Sequence, residues 1–337
     1  MSSTMKALKF HGNGRMSIEN VEKPKAQNDW VVVRVTASGI CGTDIELLLH
    51  AKEGSPVTPG HEVAGVVCET DKAKRFKTGD RVLINCHVTC GVCEHCNNGD
   101  LIFCPELKAV GFEIDGGNAE YLLVPEASLR PIPDDISDEV AVVIGDALGT
   151  PYSAIKKADI APGDFVGVFG AGPLGIMAIF TAAQKGGRVV AVDMNESRLE
   201  KSREFGAEFT VNPKDADALD KIRQITGGKG LDSVIQCSPS GAAIALGLDA
   251  LKLRGRLIQV GVVTNLSIDI YSKLNLKELS MIGSRNFNDR DTKELIAFVK
   301  AHPEVEKLIS HRFSLGDAEE AFALAEKGDC VKIVIKP

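Results

Sequence analysis

Between residues 165 and 193 the chain commits itself to one kind of sheet. The apolar stretch Phe165–Phe169 runs into Gly170-Ala-Gly172-Pro173-Leu174-Gly175, a GxGxxG turn, and the turn opens a helical stretch that reaches Gln184. A second apolar run, Arg188–Val192, then leads to Asp193, 23 residues after Gly170. Two strands joined by such a helix pair in parallel, and parallel strands are buried on both faces, so the unit calls for a helix-covered, doubly wound α/β sheet. Gly170 permits the tight turn, Gly172 lets backbone N–H groups approach a pyrophosphate, and Gly175 allows close helix–strand packing. Pro173 and Leu174 open the helix, whose N-terminus favours phosphate charge. Asp193 suits the adenosine ribose hydroxyls and repels a 2′-phosphate, which selects NAD over NADP. Arg198, five residues on, either holds the adenine end or is an ordinary solvated helix residue. The bland alternative for the whole unit is a glycine turn that binds nothing.

The same rhythm continues. Ser233–Gln236, Leu257–Val260 and Leu279–Ile282 read as further buried strands, with helices over Ser197–Phe205, Ala216–Ile225 and Ala242–Leu251. Residues 1 to about 150 have a different texture: short β-rich stretches (Trp30–Thr36, Glu62–Glu69, Arg81–Ile84, Glu120–Val124) punctuated by Gly, Pro and Asn, as in an antiparallel, partly barrel-like region. After Gly283 come a helix (Asp291–Ala301), a strand (Ser310–Ser314), a helix (Asp317–Glu326) and a last strand (Val331–Lys336). This tail either extends the parallel sheet or returns to the first region, and the pattern alone leaves both open. A chain of 337 residues has room for two domains, and 44% hydrophobic residues suffice for two cores. The net charge of −7 is spread along the chain and gives no footprint for nucleic acid or an anionic membrane. The longest apolar run, Leu174–Ala183, is about half of what a membrane span needs. Met1–Phe10 has no apolar segment of secretory type, so a soluble, cytoplasmic protein is expected.

Seven of the nine cysteines precede residue 150, and four fall in the pattern Cys90-x2-Cys93-x2-Cys96-x7-Cys104. Four thiolates on one short loop close a tetrahedron around Zn2+ and leave no position for substrate, so this is read as a structural zinc site; an iron–sulfur cluster fits the spacing less well. His95 lies inside the loop, but four cysteines already fill the shell. A second, mixed set comprises Cys41-Gly-Thr43-Asp44, Gly60-His61-Glu62 and Asp146. A catalytic zinc takes about three protein ligands and keeps one position open. Taken singly, Cys41 reads as a core thiol and His61 as a satisfied histidine; their joint occurrence carries the metal reading.

With these residues in view the chain resembles the zinc-dependent medium-chain dehydrogenases/reductases, the alcohol dehydrogenase superfamily. The matching pieces, in the family's order, are Gly60-His61-Glu62-Val-Ala-Gly65-Val, Lys77-Thr-Gly79-Asp80-Arg81-Val, the four-cysteine loop, Asp115-Gly116-Gly117-Asn118-Ala119-Glu120-Tyr121 and the GxGxxG unit. The resemblance implies a GroES-like catalytic domain (residues 1–151), a Rossmann NAD-binding domain (152–286) and a return to the catalytic domain (287–337). It implies Cys41 and His61 as catalytic zinc ligands. The third position, a cysteine in the alcohol dehydrogenases proper, falls at Gly145-Asp146-Ala147, similar to the threonine and polyol dehydrogenase branches; Asp146 is therefore the expected ligand, directly or through water. Glu62 is expected to enter the zinc shell when substrate or water leaves, and Lys332 either pairs with Glu62 or is a strand-end charge. Asp44 orients His61, and Thr43 occupies the hydroxyl relay position.

The chain also departs from the pattern. Glu46 stands where threonine dehydrogenases usually carry histidine; it is an alternative relay, a group for substrate hydroxyls, or a solvated residue. Asn118 stands where an aromatic residue is more usual. The implied activity is NAD- and zinc-dependent oxidation of a secondary alcohol in a polyol, sugar or related small molecule. L-Threonine or a simple alcohol is the alternative substrate, and a regulatory NAD(H)-binding member without turnover is the alternative class. Residues 46–56, 113–115 and 284–290 would select the substrate, and a homo-oligomer (dimer or tetramer) is expected from the polyol and threonine branches.

Overall fold

The computed structural model describes residues 3–50, 57–328 and 330–337. The chain divides into two compact units, Met1–Ala147 with Asn288–Pro337, and Leu148–Phe287. Of the first expected substrate loop, residues 51–56 lie outside the described residues.

In the first unit, β1 (Thr4–Gly12) and β2 (Arg15–Glu22) form a hairpin. Gly12, Asn13 and Gly14 at its tip all have positive φ, a conformation that glycine and asparagine adopt at low cost. β3 (Trp30–Ile40), β4 (Glu62–Glu69) and β5 (Arg81–Ile84) follow as an antiparallel meander, with the short pair β6 (His87–Val88) and β7 (Lys108–Ala109) beside the cysteine loop. β8 (Tyr121–Pro125) pairs with β3, and β9 (Leu129–Pro131) pairs with β5. Valines dominate the inward positions of these strands: Val31, Val33, Val63, Val67 and Val82 share one core with Ile84, Leu122 and Val124. β3 runs four residues beyond the expected Trp30–Thr36. Ala37-Ser-Gly-Ile40 has little strand propensity of its own, and pairing with β4 (Ala37↔Ala64, Gly39↔Glu62) extends it.

In the second unit, β10 (Phe165–Phe169), β11 (Arg188–Val192), β12 (Ala207–Val211), β13 (Leu231–Gln236), β14 (Leu251–Gln259) and β15 (Ser280–Gly283) form one parallel sheet in the order β12-β11-β10-β13-β14-β15. Helices Pro173–Gln184, Glu196–Glu204, Ala218–Ile225 and Gly241–Ala250 separate successive strands. This is the doubly wound sheet expected from the sequence, with the strand order reversing between β10 and β13. Ligands of such sheets bind at that switch point, outside the carboxyl ends of the strands. β12 was not anticipated: its segment, Ala-Glu-Phe-Thr-Val, is too short and mixed to stand out from the pattern.

The tail joins the first unit. β16 (Ile309–Ser314) lies parallel to β17 (Lys332–Lys336), and β17 pairs antiparallel with β3 through Ile333↔Ile40 and Ile335↔Ser38. Glu139 ties the same strands to the helix Asp138–Gly145, accepting from Arg312 Nε and Lys336 Nζ, each at 2.6 Å.

Candidate active site and metal centres

Three chain ends converge in the first unit. β3 stops at Ile40 and delivers Cys41; β4 starts at Glu62, directly after His61; the helix Asp138–Gly145, capped at its N-terminus by Ser137, ends at Asp146. One donor atom from each of Cys41, His61, Glu62 and Asp146 lies within 4.8 Å of all the others. Asp146 Oδ2 stands 3.6 Å from Cys41 Sγ and 3.5 Å from His61 Nε2. Donors around a tetrahedral Zn2+ sit about 3.4–3.6 Å apart for such N, O and S pairs, so these separations fit one ion.

The groups around this point are arranged to hold that set. Asp44, fully buried, presents Oδ1 to His61 Nδ1 at 3.2 Å and accepts the Cys41 backbone N–H on Oδ2 at 2.8 Å. A carboxylate on Nδ1 keeps the proton there and leaves Nε2 free to act as a donor to metal. Burial alone would lower the His61 pKa. The charge of Asp44 and hydrogen bonds to Asp146, Asp44 and Cys41 outweigh it and hold the imidazole well above its usual value. Such a concentration of acceptors is a site built to receive positive charge. Glu62 is buried and ion-paired with Lys332 Nζ, which also donates to the Ile40 carbonyl at 2.9 Å. Burial pushes the Glu62 carboxyl upward against the pull of that ammonium. Its Oε1 has no hydrogen-bond partner among the described residues, leaving it available to an ion. A side chain at Gly39 would collide with Glu62 Oε2, so the glycine is what lets the carboxylate reach the cluster. Cys86, also buried, is pushed up to about 12 by burial and is not one of the donors.

Thr43 Oγ1 lies 3.6 Å from Cys41 Sγ, at the edge of this set. Glu46 does not join it: on the exposed face of helix Gly42–His50, Glu46 pairs with His50 at 3.4 Å, both side chains being more than 70% exposed.

The second cluster is the cysteine loop. Its sulfurs stand 3.9 Å (Cys90–Cys96), 3.5 Å (Cys93–Cys96) and 3.7 Å (Cys90–Cys104) apart. Disulfides require about 2.05 Å, whereas four thiolates at the Zn–S distance are about 3.8 Å apart. His95 packs on Phe103 and takes no part.

In the second unit, Gly170 has φ +93° and a Cβ at Gly175 would stand 1.7 Å from the Gly170 carbonyl oxygen, so both positions require glycine. Pro173 opens the helix after Gly172. Asp193, at the end of β11, accepts the Ala171 N–H at 2.7 Å and the Asn195 N–H at 2.9 Å, which fixes its carboxylate beside the glycine turn. The half-buried Arg198 approaches the same turn: a Cβ on Gly172 would stand 3.9 Å from its Nη1.

Comparison with known proteins decides the family. Residues 27–134 match the family model described as an alcohol dehydrogenase GroES-like domain, and residues 173–301 match that of a zinc-binding dehydrogenase. The chain is 30% identical to a sorbitol dehydrogenase from Halalkalibacterium halodurans, over 99% of both chains. It is also 30% identical to an L-threonine 3-dehydrogenase from Bacillus velezensis, over 100% of both. The chain belongs to the zinc-dependent alcohol dehydrogenase family. Among solved structures it resembles 2R,3R-butanediol dehydrogenase from Bacillus subtilis, with a TM-score of 0.91 and 26% identity over 99% of both chains. Its activity is that of the family, dehydrogenation of an alcohol, with zinc and NAD as cofactors.

The segment 115–118 straps down the turn that leads to His61. Gly116 N–H donates to Thr58 O (2.7 Å), Gly117 N–H to Gly60 O (2.8 Å) and Asn118 N–H to Pro59 O (3.0 Å), while Asp115 Oδ1 accepts the Thr58 N–H (2.8 Å). A Cβ at Gly116 would come within 2.4 Å of Gly60 O, and one at Gly117 within 2.2 Å of Val63. The paired glycines were the available signal: at Gly116 a Cβ would meet the backbone of Pro59 and Gly60, and at Gly117 the Val63 side chain.

Proposed function

We propose that this enzyme oxidises a secondary hydroxyl of a polyol, sugar or related hydroxyl-rich small molecule to the ketone, with NAD as hydride acceptor. The observation that carries the reading is the carboxylate in the third donor position, Asp146 Oδ2 at 3.6 Å from Cys41 Sγ and 3.5 Å from His61 Nε2. Cys41, His61 and Asp146 are the protein ligands in this reading, with Glu62 in reserve. Zinc, when bound, supplies Lewis-acid activation of the substrate hydroxyl, and NAD accepts the hydride. The chain's own residues do the rest. Asp44 holds His61 in the tautomer that presents Nε2 and fixes the backbone at Cys41. Lys332 pairs with Glu62 and holds it close to the cluster. Thr43, beside Cys41, is the hydroxyl that takes the substrate proton toward solvent. Asp193 binds the adenosine ribose and disfavours a 2′-phosphate, and the Gly170–Gly175 turn receives the pyrophosphate, with Arg198 beside it. The cysteine loop holds the second, structural zinc.

Similarity to a sorbitol and a butanediol dehydrogenase supports a polyhydric substrate. L-Threonine is the less favoured member of the class, because Glu46 stands where the threonine dehydrogenases usually carry a histidine. Nine cysteines free of disulfides support a reducing, cytoplasmic setting, and among the described residues no helix is long and apolar enough to cross a membrane. Exposed Ile270, Tyr271, Leu276 and Leu253 support a homo-oligomer, dimer or tetramer. The domains in this reading are a GroES-like catalytic domain over 1–151 and 287–337 and a Rossmann NAD-binding domain over 152–286; the two compact units, which divide after Ala147 and after Phe287, support it.

The test is NADH formation by the zinc-loaded protein over a panel of polyols, aldoses, L-threonine and simple secondary alcohols, with NAD and NADP, before and after chelation. Zinc-dependent turnover of a polyol or sugar with NAD is expected, and its loss in Cys41→Ser. Turnover confined to L-threonine would overturn the substrate class, and NADH binding without any turnover would favour the regulatory reading.

A further inference from the structure

On the reverse side of the turn that carries His61, two polar side chains are buried with no hydrogen-bond partner among the described residues. Asn118 is fully buried, and neither its Nδ2 nor its Oδ1 meets a hydrogen-bond partner among the described residues; the same holds for Ser38 Oγ. Burying an amide and a hydroxyl unpaired costs as much as losing the bonds they made to water, so buried polar groups are almost always satisfied. The two side chains adjoin at the Gly60 turn. A Cβ placed on Gly60 would stand 2.8 Å from Ser38 Oγ and 2.9 Å from Asn118 Cγ. Gly60 has φ +100° and carries no side chain, which leaves this space to the two polar groups. Successive residues of β3 point to opposite faces. The Gly39 side faces Glu62 and the metal cluster, so the Ser38 side is its reverse.

We infer that Ser38 and Asn118 enclose a buried water-binding site behind the Gly60 turn, and that the water holds the His61 turn against β3. An amide and a hydroxyl offer donors and acceptors without net charge, which suits water and not an ion. The water joins three segments: β3 through Ser38, the strap through Asn118, and the turn that both flank. Asn118 acts in this account on the stability of the turn that carries His61.

The test combines crystallography of the zinc-loaded full chain with a double-mutant cycle of Ser38→Ala, Asn118→Leu and the pair. The wild-type density is expected to hold an ordered water within hydrogen-bond distance of Ser38 Oγ and the Asn118 amide. Each single variant strands one partner of the water and lowers Tm by several degrees, whereas the double variant removes both and loses clearly less than the sum. Asn118→Phe, which fills the site, is expected to fold with the water displaced. Either of two results overturns the inference: an Asn118 amide bonded directly to protein, residues 51–56 included, with no shared water, or additive Tm losses in the cycle.

Discussion

Asp44→Asn is the sharpest probe of the proposed catalytic zinc site, because it changes almost nothing but the sign of one hydrogen-bonding atom. Both Asp44 oxygens face donors: Oδ2 meets the Cys41 N–H at 2.8 Å, and Oδ1 meets His61 Nδ1 at 3.2 Å. Asparagine can satisfy only one of them. With its oxygen toward His61, the amide NH2 confronts the Cys41 N–H and loosens that ligand's backbone. With its oxygen toward Cys41, Nδ1 must become the acceptor, and the proton moves to Nε2, the atom that faces Asp146 at 3.5 Å and would bind metal. Either way one charge-assisted hydrogen bond is lost, about 1.5–3 kcal/mol. Loss of an outer partner of a metal ligand typically costs 10–100-fold in affinity, or about 1.4–2.7 kcal/mol, so the two routes to the magnitude agree. Zinc competition against a chromogenic chelator should release one ion per chain from the variant at 10–100-fold lower chelator strength than from the wild type. The cysteine-loop ion should be unmoved, and its retention shows that the fold is intact. A variant that keeps both ions with wild-type affinity would refute the assignment of Asp44, and with it the reading of the cluster as a metal site organised by that carboxylate.

Cys96→Ser removes one of four thiolates and should lower the zinc content by one ion per chain and Tm by roughly 5 °C or more, as measured by metal analysis and calorimetry. In the proposed reading Asp193 disfavours a 2′-phosphate, and Asp193→Asn removes that charge. The ratio of kcat/KM for NADP to that for NAD should rise by at least about tenfold, the worth of one charge-assisted hydrogen bond. Glu126 is buried, which by itself would raise its pKa, but it accepts the backbone N–H groups of Lys74, Arg75 and Phe76, and these bonds hold it below the ordinary carboxylate value. A carboxyl depressed in the folded state stabilises at every pH above its unfolded pKa, and that stability is lost as pH falls through the folded pKa. Glu126→Gln should therefore lower Tm near neutral pH and flatten its decline below about pH 4.5 relative to the wild type.

Much of the fold was legible because its constraints are local. The limits of β4, β5, β10 and β11 coincide with the expected runs, since Gly and Pro turns bound them. Gly170 and Gly175 announce the nucleotide turn because only glycine fits there. The cysteine loop was legible for the same reason: its four donors lie within 15 residues, and a short loop gives them few ways to be arranged. Pattern left the tail open, because β16 and β17 read alike whichever sheet they join. What decides it is non-local, the pairing of Ile333 with Ile40 and the clasp of Glu139 on Arg312 and Lys336.

The mixed cluster shows where such reading stops. Cys41 and His61 each stand beside a strand end, so their positions follow from their own strands. Asp146 is 105 residues from Cys41, and its side chain arrives only because the helix Asp138–Gly145 packs on β3 and β4 and stops where it does. No spacing rule encodes that stop. The strap over Thr58–Gly60 is harder still to read, since its hydrogen bonds run almost wholly between backbones. Backbone contacts leave a mark in sequence only through what they exclude, and here that mark is Gly116, where a Cβ would meet the Gly60 and Pro59 carbonyls. Asn118 contributes its N–H and its carbonyl oxygen to the strap, which leaves its side chain out of those bonds. The cost of burying its amide then has to be met by whatever that amide touches, and beside it at the Gly60 turn stands a second buried polar group without a partner among the described residues, the hydroxyl of Ser38.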